Sequence, residues 1–448
     1  MTRQWSRRRT LASICGTAML GGCTSLLDGD PPRAGDEVPT PDPAHTPVED
    51  WTVPTDEPTE DVSVTALAEN LEIPWDIAAG SNGDLFVTER VGRVTRFSAG
   101  SLEQVFEPAD AIDAGSVPPG DEEGSWWVEG GEGGTLGIAV HPDYPDVPYL
   151  FVYYTADASD GRVNRVSRYN LGADDPGDSE AVVVGDIPAP AADEPQIHNG
   201  GRIEFGPAGN LWITTGDAHQ PERTQDPSWP GGKVLRVTVS GDPAPDNPDL
   251  GADADPRVFT YGHRNPQGLA WLPDGTPIAT EHGPTARDEI NRLVPGENYG
   301  WPDVRGYPDD DHYEAYVDHP DVHPPLANTN VFDTWAPTGA CFYTGDAVPS
   351  WRNRLLIGGL NSQQIIVATI TPPGDQVPPN GWYFDDNWLD DAYTVTVHTV
   401  LENELGRIRH LEQGPNGELY AITSNRDGRA DEPFPTDRDD VLVRIEAE

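Results

Sequence analysis

Within 448 residues, 76 Asp and Glu stand against only 28 Lys and Arg, a formal net charge of −48 that repels anionic membrane surfaces and nucleic acid and excludes the latter as a partner. The acids are spread along the chain and Lys233 is the only lysine. That is the pattern of a surface reliant on strong salt, where charges are screened beyond roughly 3 Å at 1 M.

Residues 1–22 read as an export signal. Arg7-Arg8-Arg9 precede the apolar run LASICGTAML, which is too short to span a bilayer, and the small residues Gly21-Gly22 follow. Consecutive arginines point to the twin-arginine route. Leu20-Gly21-Gly22-Cys23 resembles a lipoprotein box, with Cys23 as the lipidated first residue of the mature chain. This expectation puts the protein on the outer face of the cytoplasmic membrane, held by a lipid anchor; cleavage elsewhere would make it a secreted protein. Residues 23–60 are rich in Pro, Asp, Glu, Thr and Gly and lack apolar periodicity, so they are expected to form an acidic tether. With Cys15 and Cys23 in the leader region, Cys341 alone remains in the body. No intrachain disulfide is available to it, and it is expected to be a small core residue.

From residue 61 to 448 a repeat recurs: a turn containing Gly, Pro or Asp, then a short β-rich run ending in small or polar residues. Leu85, Leu150, Leu211, Pro277, Leu355 and Leu419 mark its copies, at spacings of 65, 61, 66, 78 and 64. Six units of short strands predict an all-β fold, a six-bladed β-propeller with four antiparallel strands per blade. Segments 62–68 (VSVTALA) and 440–446 (DVLVRIE) are expected to meet in one blade and close the ring, which removes exposed sheet edges. The long spacing contains residues 309–325, expected to be an inserted loop.

Residues 259–302 hold the densest chemistry. His263-Arg264-Asn265 and Glu281-His282-Gly283-Pro284, followed by Asp288-Glu289, flank a short apolar segment. Arginine and asparagine supply donors for a planar, oxygen-rich ligand, and Gly283-Pro284 ties the backbone into a shape able to aim carbonyl oxygens at a cation. The chain has no HExxH, EF-hand, P-loop or dinucleotide fingerprint, which argues against NAD chemistry.

The runs GHRNPQGLA, EHGP, DEIN and NYGWP, together with GEGGTLGIAVHPDY (131–144), HNGGRIEFGPAGNLWITTGD (198–217), APTGACFYTGD (336–346) and RIRHLEQGPNGELY (407–420), stand in one order. In that order they resemble the soluble PQQ-dependent aldose dehydrogenases of the glucose/sorbosone dehydrogenase family, across residues 64–446. The resemblance implies oxidation of an aldose at C1 to a lactone, with PQQ and Ca2+ as cofactors and an external quinone or redox protein as electron acceptor. It makes His198 the general base, a role suited to imidazole. Asp217 holds that ring, and Arg264 assists at the quinone. Arg264, Asn265, Thr334, Asn361, Arg407 and Arg409 fall at cofactor positions, and Glu132 and Asp288 are assigned to substrate. The carbonyls of Gly283 and Pro284 would hold the calcium that meets PQQ, and Glu289 and the Tyr299 carbonyl a second, structural calcium. Two positions depart from the family: Asn361 stands where a cofactor-binding lysine is usual, and Glu132 where a glutamine often contacts sugar. Two other functions remain open to a propeller of this kind. One is a calcium-dependent lactonase, which wants several carboxylates on the metal; the other is a non-catalytic carbohydrate-binding module.

Overall fold

The computed structural model describes residues 38–41, 48, 51–115, 131–159, 161–194, 196–331 and 333–448. The predicted export signal and Cys23 lie outside the described residues.

Six antiparallel sheets follow one another along the chain, as the repeat predicts. Blade 1 spans Pro74–Phe106, blade 2 Thr135–Pro188, blade 3 Ile203–Tyr261, blade 4 Pro266–Asn328, blade 5 Pro337–Val400 and blade 6 Ile408–Ala447. Each repeat marker begins or nearly begins the second strand of its blade. The ring closes where Val62–Ala68 pairs antiparallel with Leu442–Ala447 as the outermost strand of blade 6. Blade 5 departs from four strands: Trp382–Phe384 adds a fifth at its outer edge.

Burial explains the strand sequences. The second strands LFVTE, LWITT and RLLIGG are buried at every position, because neighbouring blades cover both of their faces. The outermost strand VSVTALA begins by alternating half-buried with exposed residues, since one face looks out. Between blades 2 and 3, Phe151, Tyr153, Leu211, Ile213 and Leu235 form one of the intersheet cores. The turns between first and second strands run through Gly83, Gly209, Gly275 and Gly417, with φ of 88, 78, 89 and 85°, a region open to glycine at little steric cost.

Antiparallel order sends these turns to one end of the ring. The loops that enter each blade, and those that leave its second strand, go to the other. Between the two ends a buried network crosses the axis. Asp76 accepts from His410 Nδ1 at 2.6 Å, from the Ile138 N–H at 2.9 Å and from Arg202, while Arg202 Nε donates to the Gln267 carbonyl at 3.0 Å.

Two expectations are corrected. The described part of the tether is strapped to the propeller, since its few apolar residues and its carbonyls find partners there. Val38 is buried in the core of blades 2 and 3, Trp51 packs edge-on against Phe342 at 5.3 Å, and the Thr59 carbonyl accepts from Trp351 Nε1 at 2.8 Å. Cys341 is only half-buried; it lines a second cavity of about 310 Å3 at the turn end, with Glu204 and Glu412. The insertion 309–325 is a docked element, in which Glu314–Ala315 pairs with Val304–Gly306 and the Tyr316 hydroxyl reaches Glu289 at 2.7 Å.

Candidate active site

A cavity of about 370 Å3 opens at the end of the ring opposite the glycine turns. Its size falls in the range of roughly 300–1,000 Å3 usual for small-molecule sites. Four arginines line it: Arg90 after the second strand of blade 1, Arg407 and Arg409 where the chain enters blade 6, and Arg429 after that blade's second strand. Trp75 forms part of the wall, with the Arg409 guanidinium 5.7 Å from its ring centre.

Beside the cavity, the loop into blade 3 presents His198 and the end of that blade's second strand presents Asp217. His198 Nδ1 lies 2.8 Å from Asp217 Oδ1, and the two side chains are 12% and 1% exposed. Asp217 is itself held: Oδ2 accepts from Trp301 Nε1 at 2.9 Å and Oδ1 from the His219 N–H at 2.9 Å. The carboxylate thus fixes the imidazole by one nitrogen and leaves the other for chemistry. His198 takes φ of +60°, unusual for a residue with a Cβ, and the Ala218 N–H bonds its carbonyl at 3.1 Å.

The arginines are held against an electrostatic cost. Arg407 is satisfied by Asp427 Oδ2 at 2.8 Å and the Leu360 carbonyl at 3.1 Å. Arg409 Nη1 donates to Gln267 Oε1 at 3.0 Å, but its Nε is buried with no partner, as is Nη1 of Arg90. Burial and the neighbouring Arg429 push Arg90 down to about 10, and burial with Arg90 pushes Arg409 down as well. Burial, reinforced by Arg264, Arg409 and Arg429, lowers His282 to about 3, so its imidazole is neutral at ordinary pH. A planar polyanion supplies the charge and acceptors that this lining lacks, so the residues present fit PQQ.

The remaining predicted residues divide. Asn361 and Glu132 line the cavity. Arg264 stands behind it, over the Trp301 ring at 5.5 Å; its Nη1 reaches the His282 carbonyl at 3.3 Å and its buried Nε has no partner. Asn265 is buried, and its side-chain oxygen accepts the Gly200 N–H at 3.0 Å, which ties the His198 loop to blade 4. Asp288, assigned to substrate, is instead the knot of two loops. It accepts from the Gly283 N–H at 2.8 Å, the Thr334 hydroxyl at 2.9 Å, and the Trp335 and Ala336 N–H groups at 2.7 and 2.9 Å. Three of those donors converge on Oδ2 and the fourth is on Oδ1. Thr334 is therefore anchored through its proton, with its oxygen left as an acceptor.

Around Gly283 the loop is too tight for a side chain: a Cβ there would lie 2.0 Å from the Ala286 carbonyl oxygen and 2.2 Å from that of Arg287. The Gly283-Pro284 carbonyls are oxygen donors of the kind calcium takes, an incomplete set that a bound ligand and water would fill. The second calcium expected at Glu289 and the Tyr299 carbonyl lacks its carboxylate, which is already engaged. Arg305 Nη1 sits 3.0 Å from Glu289, and Tyr316, Asn291 and Asn328 donate to the same carboxylate. A guanidinium holds the place of the cation. The Tyr299 ring stacks on His263 at 4.5 Å and its hydroxyl gives its proton to the Arg292 carbonyl, contacts that do not involve the backbone carbonyl assigned to the ion. Among the described residues no group of three or more His, Cys, Asp or Glu could hold a metal ion.

Trp75, Arg90, Gln267, Trp301, Asp427 and Arg429 went unrecognised in the sequence. For Arg90 a signal existed: it ends the first copy of the repeat, where Asp217 and His282 stand in later copies.

Comparison with known proteins agrees with this geometry. The glucose/sorbosone dehydrogenase family profile matches residues 71–432. An aldose sugar dehydrogenase of Escherichia coli is 29% identical over 382 residues, covering 82% of this chain and 91% of that protein. Quinoprotein glucose dehydrogenase B of Acinetobacter calcoaceticus is 29% identical over 290 residues, 58% of this chain and 56% of that one. The PQQ-bound structure of an aldose sugar dehydrogenase from Streptomyces coelicolor is 30% identical and superposes with a TM-score of 0.64, covering 88% of this chain and all of that one. The chain therefore belongs to the glucose/sorbosone dehydrogenase family.

Proposed function

We propose that the protein is a PQQ- and calcium-dependent oxidoreductase that converts aldoses to lactones at C1 and passes the electrons to an external quinone or redox protein. One observation carries the reading: a histidine oriented by a buried carboxylate is tied through Glu132 to a cavity in which Arg90 Nη1 and Arg409 Nε are buried without acceptors. Arg90, Arg407 and Arg409 would hold the cofactor's carboxylates and Gly283-Pro284 its calcium. When bound, PQQ supplies a two-electron acceptor.

The chain's own residues do the rest. His198, held through Nδ1 by Asp217, takes the proton of the anomeric hydroxyl at Nε2, and Asp217 stabilises the resulting imidazolium. Arg264 places positive charge where negative charge grows on oxygen. Neutral His282 contributes a hydrogen-bonding ring without adding to the local positive charge. Trp75 gives the cavity a flat apolar wall.

The test is dye-linked oxidation of a panel of aldoses and lactones in strong salt, with Ca2+, PQQ, both or neither. Activity only with both is expected. Lactone hydrolysis with calcium alone would replace this reading by the hydrolase, and inactivity throughout, with sugar still bound, by the carbohydrate-binding module. The export reading is proposed alongside: Cys23→Ser should release the protein from the membrane at unchanged specific activity, and an unmodified mature terminus downstream of Cys23 would refute it.

A further inference from the structure

Glu132 touches two elements of the site at once. Its Oε2 accepts the His198 backbone N–H at 2.9 Å, and its Oε1 accepts from Arg429 Nη1 at 3.1 Å. Arg429 also lies 3.3 Å from Asp427 Oδ2, the same oxygen that receives Arg407. The carboxylate is 15% exposed and the guanidinium 20%.

The His198 backbone needs such a contact. Its φ of +60° is a conformation that persists in a residue with a Cβ only where surrounding contacts impose it. Asp217 fixes the ring and Ala218 the carbonyl, and Glu132 supplies the remaining hold, on the amide. We propose that Glu132 and Arg429 form a charge clasp that positions His198, so that Glu132 acts on the reaction through His198 and not by touching the sugar. The proposal rests on the reading of His198 as proton acceptor. Both carboxylate oxygens are engaged inside the protein, and Arg429 keeps the group anionic although burial opposes this, so that the acceptor facing the His198 amide carries a full charge. A glutamine would still accept that N–H but would leave Arg429 without its counter-charge on this side.

The test uses Glu132→Ala, Glu132→Gln, Arg429→Ala and Arg429→Lys. Hydrogen exchange at the His198 amide, followed by mass spectrometry on protein without cofactor, reads the clasp directly. Glu132→Ala should lose protection there by about tenfold or more, and Glu132→Gln should keep most of it. In enzyme loaded with PQQ and Ca2+, Glu132→Ala should lower kcat about ten- to a hundredfold, the worth of a charged hydrogen bond, with sugar KM within about twofold. Glu132→Gln should recover much of that loss, and Arg429→Ala should move kcat the same way by less, with Arg429→Lys intermediate. Unchanged protection of the His198 amide in Glu132→Ala overturns the clasp whatever the activity. So does a rise in sugar KM of about tenfold at unchanged kcat, which would make Glu132 a sugar contact. Should Glu132→Ala fail to fold, the exchange of Arg429→Ala decides, with wild-type protection refuting the proposal. If His198→Asn turns over normally the base reading falls, yet the exchange result stands by itself.

Discussion

Replacing Asp217 by Asn while removing the Trp301 N–H tests the architecture around His198 most sharply. In the native site Oδ1 of Asp217 accepts from His198 and from the His219 N–H, and Oδ2 accepts from Trp301 Nε1. An asparagine has one acceptor and one donor end. With its oxygen toward His198, its NH2 meets the Trp301 N–H, two donors face to face; flipped, it meets the His219 N–H and forces the other tautomer on His198. The first arrangement does less damage and leaves one donor conflict, worth about 1–3 kcal/mol at a site this buried. Trp301→Phe alone strands Oδ2 at a similar cost of about 1–3 kcal/mol. In the double variant the conflict disappears, so the two losses should fall short of additive by at least about 1 kcal/mol in denaturant unfolding. Turnover answers a separate question. Loss of a full charge about 4 Å from the imidazolium is worth up to about 4 kcal/mol at an effective dielectric of about 20. Single-turnover reduction by sugar should therefore slow by as much as about a thousandfold in both Asn-containing variants, whichever residue occupies position 301. Additive stabilities within about 0.5 kcal/mol would refute the shared-carboxylate geometry. Near-normal turnover in Asp217→Asn would refute the role of its charge.

Arg409→Met should move stability and binding in opposite directions: the apoprotein melts higher because a buried, repelled cation is gone, while PQQ titration shows weaker binding. A lower melting point with unchanged PQQ affinity would contradict both. Glu412 accepts the Ala79 N–H, and burial, aided by Asp76, pushes it from 4.5 up to about 8. A folded-state value above the unfolded one means that its contribution is full below about pH 4.5 and lost as pH rises through about 8. Glu412→Gln should then melt higher than the native protein at pH 8.5 but not at pH 5, and parallel pH curves would exclude the effect. Unfolding midpoints should climb steeply as KCl rises from dilute buffer toward molar levels, since −48 is dispersed over the surface; a flat response would point to neutralisation by bound cations.

The ring was legible because its grammar is local. A turn containing Gly, Pro or Asp followed by a largely buried strand recurs with each blade, and the pairing of Val62–Ala68 with Leu442–Ala447 follows from the need to close the sheet edge. His198 and Asp217 were legible because a strand, a turn and a return strand of known length bring them together. What stayed hidden was long-range and depended on competition among partners. Asp288 and Glu289 are adjacent carboxylates of equal apparent promise, yet backbone amides converge on one and Arg305 on the other. Glu132 and Arg429 are 297 residues apart, and no periodicity joins them. The strap of residues 51–60 reads as a tether because its hold is mostly through backbone carbonyls, which composition does not register.

The chain combines a strongly negative surface with a positive cavity, and the cations it uses there are arginines. The strongly acidic chain has a single lysine, Lys233, which is buried on the Thr224 and Gly231 carbonyls at 2.8 Å each, where burial pushes it down to about 7. Arginine holds its proton under the same pressure: Arg90 is pushed down only to about 10, still protonated at neutral pH. A cavity that must stay positive inside a strongly negative molecule is therefore better built from guanidinium groups, each braced by a carboxylate, carbonyl or amide oxygen, with Arg90 Nη1 and Arg409 Nε left without a partner. Asp427 braces both Arg407 and Arg429, and the Gly131 and Gly133 carbonyls brace Arg90. Asn361 brings no charge to the cavity, whose positive charge comes from Arg90, Arg407, Arg409 and Arg429. The positive charge of the cavity sits on planar groups fixed at the ends of blades 1 and 6.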